Sequence, residues 1–320
     1  MADTPVRLQQ PNALKLARID ERLTFLYLDR CAVRQDDNGT VAAVETENGL
    51  REVYLPTATL TALMLGPGTS LTQQAAAALA RSGCAVVFTG AGLVRSYGAF
   101  LSPYAPTRLL ERQAAIVSDP GLRAEAARVM YLKRFPGVPS STFADATIEQ
   151  MRGLEGVRMK ATYQRCSAKV RLGRWRRNSG TDPGMGPPDS VNRALNSANS
   201  ALYGVVNSVV LALGLSPGLG VIHTGNRQSF TLDIADLYKA DLTIPLAFAL
   251  NGHEDPENAA LRKLREGMRL ARFLPRVVED IHDVLGEQSV DPRQWSVDEL
   301  RLWGSFGEVP ANRSQSGFLS

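Results

Sequence analysis

The sequence predicts an α+β protein: an N-terminal β-sandwich-like domain over residues 1–103, a helical domain over 104–286, and an irregular, partly disordered tail over 287–320. Two observations carry that division. Short apolar runs punctuated by Gly, Asn and Pro fill the first hundred residues, whereas beyond Ser102-Pro-Tyr-Ala-Pro106 the apolar spacing turns helical. Two prolines in five residues break both regular structures and mark the boundary.

In the first region Leu23–Leu28, Val41–Val44, Glu52–Leu55 and Leu60–Leu65 read as strands. Asp36-Asp-Asn-Gly39 and Glu47-Asn-Gly49 read as hairpin turns. Ser70 or Thr72 caps one inserted helix through Ala75 to Arg81, and Cys84–Phe88 and Leu93–Tyr97 close the region around Gly90-Ala-Gly92. In the second region Thr107 caps a helix to Val117, and Asp119-Pro120 starts another, to Arg134, with proline at its first position. Thr147 opens a long helix to about Val170. Arg174 to Pro188 follows as a mobile Gly- and Pro-rich loop, and Asp189 or Ser190 caps an apolar helix through Tyr203 to Leu213. Leu242–Leu250 is a buried helix with Pro245 in its first turn, and Glu257–Leu285 is amphipathic, kinked at Pro275.

At 320 residues the chain has length for about two packed domains. Its three cysteines, Cys31, Cys84 and Cys166, are far apart, which excludes a disulfide framework and a Cys-based zinc site and fits a reducing cytoplasm. The opening Met1-Ala-Asp-Thr-Pro is polar, unlike a secretory signal, and no apolar run is long enough to span a bilayer, so no membrane partner is expected. No phosphate-binding loop or dinucleotide fingerprint occurs. The net charge is only +4, yet Arg108 to Arg177 holds fifteen Lys or Arg against six Asp or Glu. Within it, Arg158 to Arg177 carries eight basic residues and no acidic one, an excess that favours a polyanionic partner over a solvated surface of mixed sign.

His223-Thr-Gly-Asn, followed by Asp233-Ile-Ala-Asp236-Leu-Tyr-Lys239, suggests a metal-dependent site. On a helix beginning near Thr231 the two aspartates are i,i+3 neighbours, and a turn through Gly225 folds His223 back over them. Imidazole and carboxylate suit Mg²⁺ or Mn²⁺. The alternative is that Asp233 favours a helix N-terminus and His223 is a structural hydrogen bonder. A third ligand is needed from elsewhere. Glu155, between Gly153 and Gly156 and just before the basic run, is the candidate; its alternative is an exposed pairing with Arg152 or Arg158.

Leu-Arg152-Gly-Leu-Glu155-Gly, Asp189-Ser-Val-Asn-Arg-Ala-Leu-Asn through Tyr203-Gly, His223-Thr-Gly-Asn and Asp233-Ile-Ala-Asp236 together closely resemble the first CRISPR-associated (Cas) protein family, the spacer-acquisition integrases, and most closely its type I-E branch. Leu65-Gly-Pro-Gly-Thr-Ser, the Gly90 turn and Arg95 extend the resemblance over nearly the whole chain. It implies a metal held by Glu155, His223 and Asp236 with Asp233 in support, and metal-dependent DNA endonuclease and integrase chemistry at a CRISPR array. It also implies a homodimer that joins the second Cas protein in a heterohexamer on a double-stranded DNA fragment and CRISPR repeat DNA. Candidate DNA contacts are Arg95, Arg152, Arg158, Lys160, Arg174, Arg176, Arg177, Tyr203 and Lys239. One departure is Arg30, which stands where close relatives carry a tyrosine that braces the duplex end. Two other functions use the same residues: a stand-alone nuclease for branched DNA, and a non-catalytic DNA-binding scaffold.

Overall fold

The computed structural model describes residues 24–46, 49–103, 107–180, 185–270 and 273–287. Its N-terminal part is two four-stranded sheets. One has the order β1 (Thr24–Leu28), β5 (Leu60–Leu65), β7 (Ala85–Thr89), β8 (Ser96–Phe100), with the first three parallel and β8 antiparallel. The other has the order β4 (Gly49–Tyr54), β3 (Gly39–Thr46), β2 (Cys31–Asp36), β6 (Ser70–Leu71). The Asp36–Gly39 turn joins β2 to β3 as expected, with Asp36 Oδ1 accepting from the amides of Asn38 and Gly39. The Asn-Gly turn falls partly on residues 47–48, outside the described residues, although β3 and β4 do pair as a hairpin.

Within the first sheet β5 is buried on both faces, which is why it reads as a nearly continuous apolar run rather than an alternation. Leu63 and Leu65 pack with Val33, Ala42 and the helix α1 (Gln73–Arg81) in one core. Ala62 and Met64, one residue out of phase, belong to the larger core shared with the helices. Thr72 is the residue that caps α1, accepting from Ala75, while Ser70 lies in β6.

The helical part begins with α2 (Arg108–Ser118), α3 (Pro120–Arg134) and α4 (Ile148–Lys169). Asp119 caps α3 and Thr147 caps α4, the latter in a reciprocal box with Gln150. Thr107 stands at the N-terminus of α2 but makes no cap; its hydroxyl donates to Glu111 instead. Asp189 caps α5 (Ser190–Ala212), the helix at the centre of the larger core. Gly204 of α5 lies against the backbone of Leu93 and Val94 with no room for a Cβ, so a glycine docks the helical part onto the β part.

The helix α6 (Ser229–Tyr238) continues through a π-helical turn, Lys239–Thr243, into α7 (Ile244–Ala249), and α8 (Pro256–Leu270) and α9 (Phe273–Leu285) complete the fold. One expectation lies partly outside the described residues and one is corrected. The amphipathic stretch is described as α8, to Leu270, and α9, which runs from Phe273 through Pro275, while residues 271–272 between them lie outside the described residues. The expected mobile loop is pinned on both sides of residues 181–184, which lie outside the described residues. Trp175 stacks between Tyr163 and Phe248, with ring centroids 5.1 and 4.8 Å apart, and buried Asn178 bonds Asn192 and Gly186. The tail from residue 288 is also outside the described residues, as are 104–106 of the expected boundary.

Candidate active site

Three helices meet at one cluster of charge. The end of α3 supplies Arg134, the first half of α4 supplies Glu155, and α6 supplies Asp233 and Asp236. Arg134 Nη1 lies 2.7 Å from Glu155 Oε1 and 3.3 Å from Asp236 Oδ2, so carboxylates from two helices share one nitrogen. Tyr131, one turn earlier on α3, donates to the other Glu155 oxygen at 3.1 Å. Burial, and then the Glu155 charge, push the Tyr131 phenol well above its ordinary range, so it stays a donor. Lys239 Nζ forms an ion pair with Asp236 Oδ1 and sits 4.8 Å from the centre of the Tyr203 ring. Burial is the largest single influence and opposes the Lys239 charge, but the Asp236 carboxylate and the Tyr203 phenol together outweigh it and raise the ammonium pKa.

The aspartates, i,i+3 on α6, do different work. Asp233 is 1% exposed and accepts from the backbone amides of Val221, Ile222 and His223, at 2.6, 3.0 and 2.9 Å. It also faces His223 Nδ1 at 2.7 Å. The turn that delivers His223 passes through Gly225 (φ 78°), as the sequence suggests, and through Gly220, where a Cβ would collide with the His223 carbonyl oxygen. The hydrogen bond to Asp233 outweighs burial and raises the His223 pKa above its usual value. With Nδ1 committed to a carboxylate, Nε2 is the nitrogen left for a metal, an arrangement common around metal-bound histidines.

Glu155 and Asp236 thus converge on one point, and His223 is held by Asp233. Among the described residues no group of three or more His, Cys, Asp and Glu side chains is close enough to hold a metal. The donor types nonetheless suit a divalent ion: two carboxylates already share a cation, and an imidazole is oriented nearby. One local expectation is corrected, and one alternative is set aside. Nothing lies within 4 Å of a Cβ built at Gly153 or Gly156, so neither serves a close approach. Glu155 pairs with Arg134, not with Arg152 or Arg158. Arg134 and Tyr131 went unrecognised in the sequence because nothing adjacent to either marks it.

Of the expected DNA contacts, Arg152, Arg158 and Lys160 are exposed on α4, and Arg174 and Arg176 are exposed beyond it. Arg158 stacks on Phe135, 5.2 Å from the ring centre. Arg177 differs: it donates to Asn192 Oδ1 at 3.0 Å and Asn196 Oδ1 at 2.5 Å, tying the loop to α5. Arg95 is exposed before β8, and Arg30 is exposed after β1 with φ 49°. Tyr203 and Lys239 lie inside the charged cluster itself.

A β-rich N-terminal region docked on a helical domain that gathers acids, cations and a braced histidine defines an α+β class of protein with a charged cluster between helices. A family profile described as "CRISPR associated protein Cas1" matches residues 131–272. A "CRISPR-associated endonuclease Cas1" of Clostridium sp. (strain SY8519) is 35% identical over 292 residues, covering 90% of this chain and 94% of its own. "CRISPR-associated endonuclease Cas1 2" of Thermus thermophilus is 35% identical over 314 residues, covering 96% and 94%. The chain belongs to the Cas1 family of CRISPR-associated endonucleases. The solved structure "Crystal structure of TtCas1-DNA complex" superposes with a TM-score of 0.73 at 37% identity, covering 84% of this chain and 99% of that one. Among the described residues no helix is long and apolar enough to cross a membrane.

Proposed function

We infer that this protein is a metal-dependent DNA integrase and endonuclease that inserts short foreign DNA fragments into a CRISPR array in the cytoplasm. The observation that carries the reading is the sharing of one cation by Glu155 and Asp236, with a histidine braced at Nδ1 by Asp233 of the same helix as Asp236 and exposed cations on the helix that carries Glu155. Glu155, Asp236 and His223 Nε2 would hold Mg²⁺ or Mn²⁺, with Asp233 fixing the histidine. When bound, such an ion supplies neutralisation of charge developing on phosphorus and favours ionisation of an attacking hydroxyl. Arg152, Arg158, Lys160, Arg174 and Arg176 hold phosphates of the fragment and repeat, and Lys239 above Tyr203 stands next to the carboxylates where a scissile phosphate would be drawn in.

In the transfer, the fragment's 3′-oxygen forms a new bond to a phosphorus of the repeat. The bond from that phosphorus to the repeat's 3′-oxygen breaks, and the proton of the attacking hydroxyl ends on the departing 3′-oxygen. Attack by water gives hydrolysis at the same site. The names of the relatives and a relative's DNA complex support this reading. The assembly that fits it is a homodimer joined to the second Cas protein in a heterohexamer on double-stranded DNA.

The test is to mix the protein, with and without the second Cas protein, with a labelled duplex and a repeat-bearing plasmid in Mg²⁺ or Mn²⁺. Label joined to the repeat edge is the expected result, abolished by chelation, E155Q or D236N. Cleavage alone would favour a stand-alone nuclease, and binding without either reaction a scaffold.

A further inference from the structure

The residue that joins the two carboxylates has a role beyond packing. The Arg134 side chain is 6% exposed, its Nε is buried without a hydrogen-bond partner, and its Nη1 is shared between Glu155 and Asp236. The guanidinium also lies 5.7 Å from the Phe135 ring centre. Carboxylates that converge on one point repel one another, and a cation held between them offsets that repulsion. A divalent ion meets the same requirement with the same oxygens.

We propose that Arg134 is the resident counter-cation of this site: it holds the carboxylates of Glu155 and Asp236 together in the metal-free protein, and yields the space between them when a divalent ion binds. This rests on the reading that Glu155 and Asp236 hold the metal. The neighbours suit the exchange. Tyr131 keeps Glu155 by its other oxygen, and Lys239 keeps Asp236 by its other oxygen, so both acids stay placed when the guanidinium withdraws. Arg134 is thus a positioning residue that sets how tightly and how reversibly the site loads.

The experiment is Mn²⁺ binding by the full chain, read from the electron paramagnetic resonance of free Mn²⁺, with thermal unfolding followed with and without the ion. R134Q removes the competing charge. It is expected to bind Mn²⁺ at least roughly tenfold tighter than the unsubstituted protein, to unfold at a lower temperature without metal, and to gain more from Mn²⁺. R134K keeps the charge and is expected to stay within about threefold of the unsubstituted affinity. Equal or weaker Mn²⁺ binding by R134Q, while E155Q still abolishes binding, overturns the proposal and leaves the metal site standing. No binding by any form overturns both. Should R134Q fail to fold, ¹⁵N-arginine spectra of the unsubstituted protein decide the matter. The Arg134 guanidinium signal is expected to move on Mg²⁺ addition and to stay put in E155Q; a signal indifferent to Mg²⁺ in both refutes the exchange.

Discussion

Asp233 and Asp236 show how two identical side chains three residues apart acquire different duties. Asp233 is spent on three backbone amides and the His223 ring. Replacing it by Asn turns a donor toward one set of those donors, and is expected to cost about 1–3 kcal/mol of stability, measured by denaturant unfolding. Metal binding should survive in D233N while turnover falls. D236A should lose both metal and strand transfer, and equal loss of metal affinity in the two variants would overturn this division of labour. The same contact sets a pH dependence. The His223 pKa is raised above its usual value of about 6.5, so in the metal-free protein the pair with Asp233 contributes stability fully below that value. That contribution disappears as pH rises through the elevated folded-state value. A metal needs neutral imidazole, so activity should fall as pH drops through the same raised value, and higher Mn²⁺ should move that acid limb downward. An acid limb indifferent to Mn²⁺ in a folded protein would remove His223 from the ligand set.

The site depends on where α3, α4 and α6 end up, and α5 sets the frame against which they pack. The contact that seats α5 is the glycine at 204 against Leu93 and Val94, and there the backbone itself is in the way. Gly204→Val should therefore destabilise the fold by about 1–3 kcal/mol, visible as a lowered denaturation midpoint, whereas the same change at Gly153, with open space around it, should leave the midpoint unchanged or raise it slightly, since valine exceeds glycine in helix propensity by roughly a few tenths of a kcal/mol. Features of this local kind were legible in the sequence. Thr72, Asp119, Thr147 and Asp189 announce their helices because a cap acts within three residues. The α+β order of the chain followed from the change in apolar period, and His223 with Asp233 followed from a short turn. Arg134 was not legible: its bond to Asp236 spans 102 residues, and only packing of three helices creates it. Nor did Thr107 reveal that its hydroxyl would take Glu111 in place of the backbone. Sequence reports interactions that close over a turn; those that close over a fold it leaves to the core.

On the scale of the whole molecule, exposed arginines and lysines line α4 and the segment after it, while Glu155 of the same helix is drawn to Arg134 with Asp236. A duplex laid along that face would release counterions from each phosphate it meets, which gives binding a steep salt dependence with little regard to sequence. The structure separates two adjacent arginines that the sequence treats alike. Arg176 is exposed, whereas Arg177 spans Asn192 and Asn196 and accounts for the anchoring of its loop on α5. R176A is expected to leave thermal stability unchanged and to lower the slope of log affinity against log salt by about one. R177A is expected to lower the unfolding temperature, since it strips a donor from two asparagine oxygens, and to weaken DNA binding mainly by loosening the loop. Measuring both slopes and both melting curves on the same duplex separates a phosphate contact from a structural tie. Equal slopes for R176A and the unsubstituted protein would make α4 and its extension a solvated surface, and would move the DNA path to another face of the molecule.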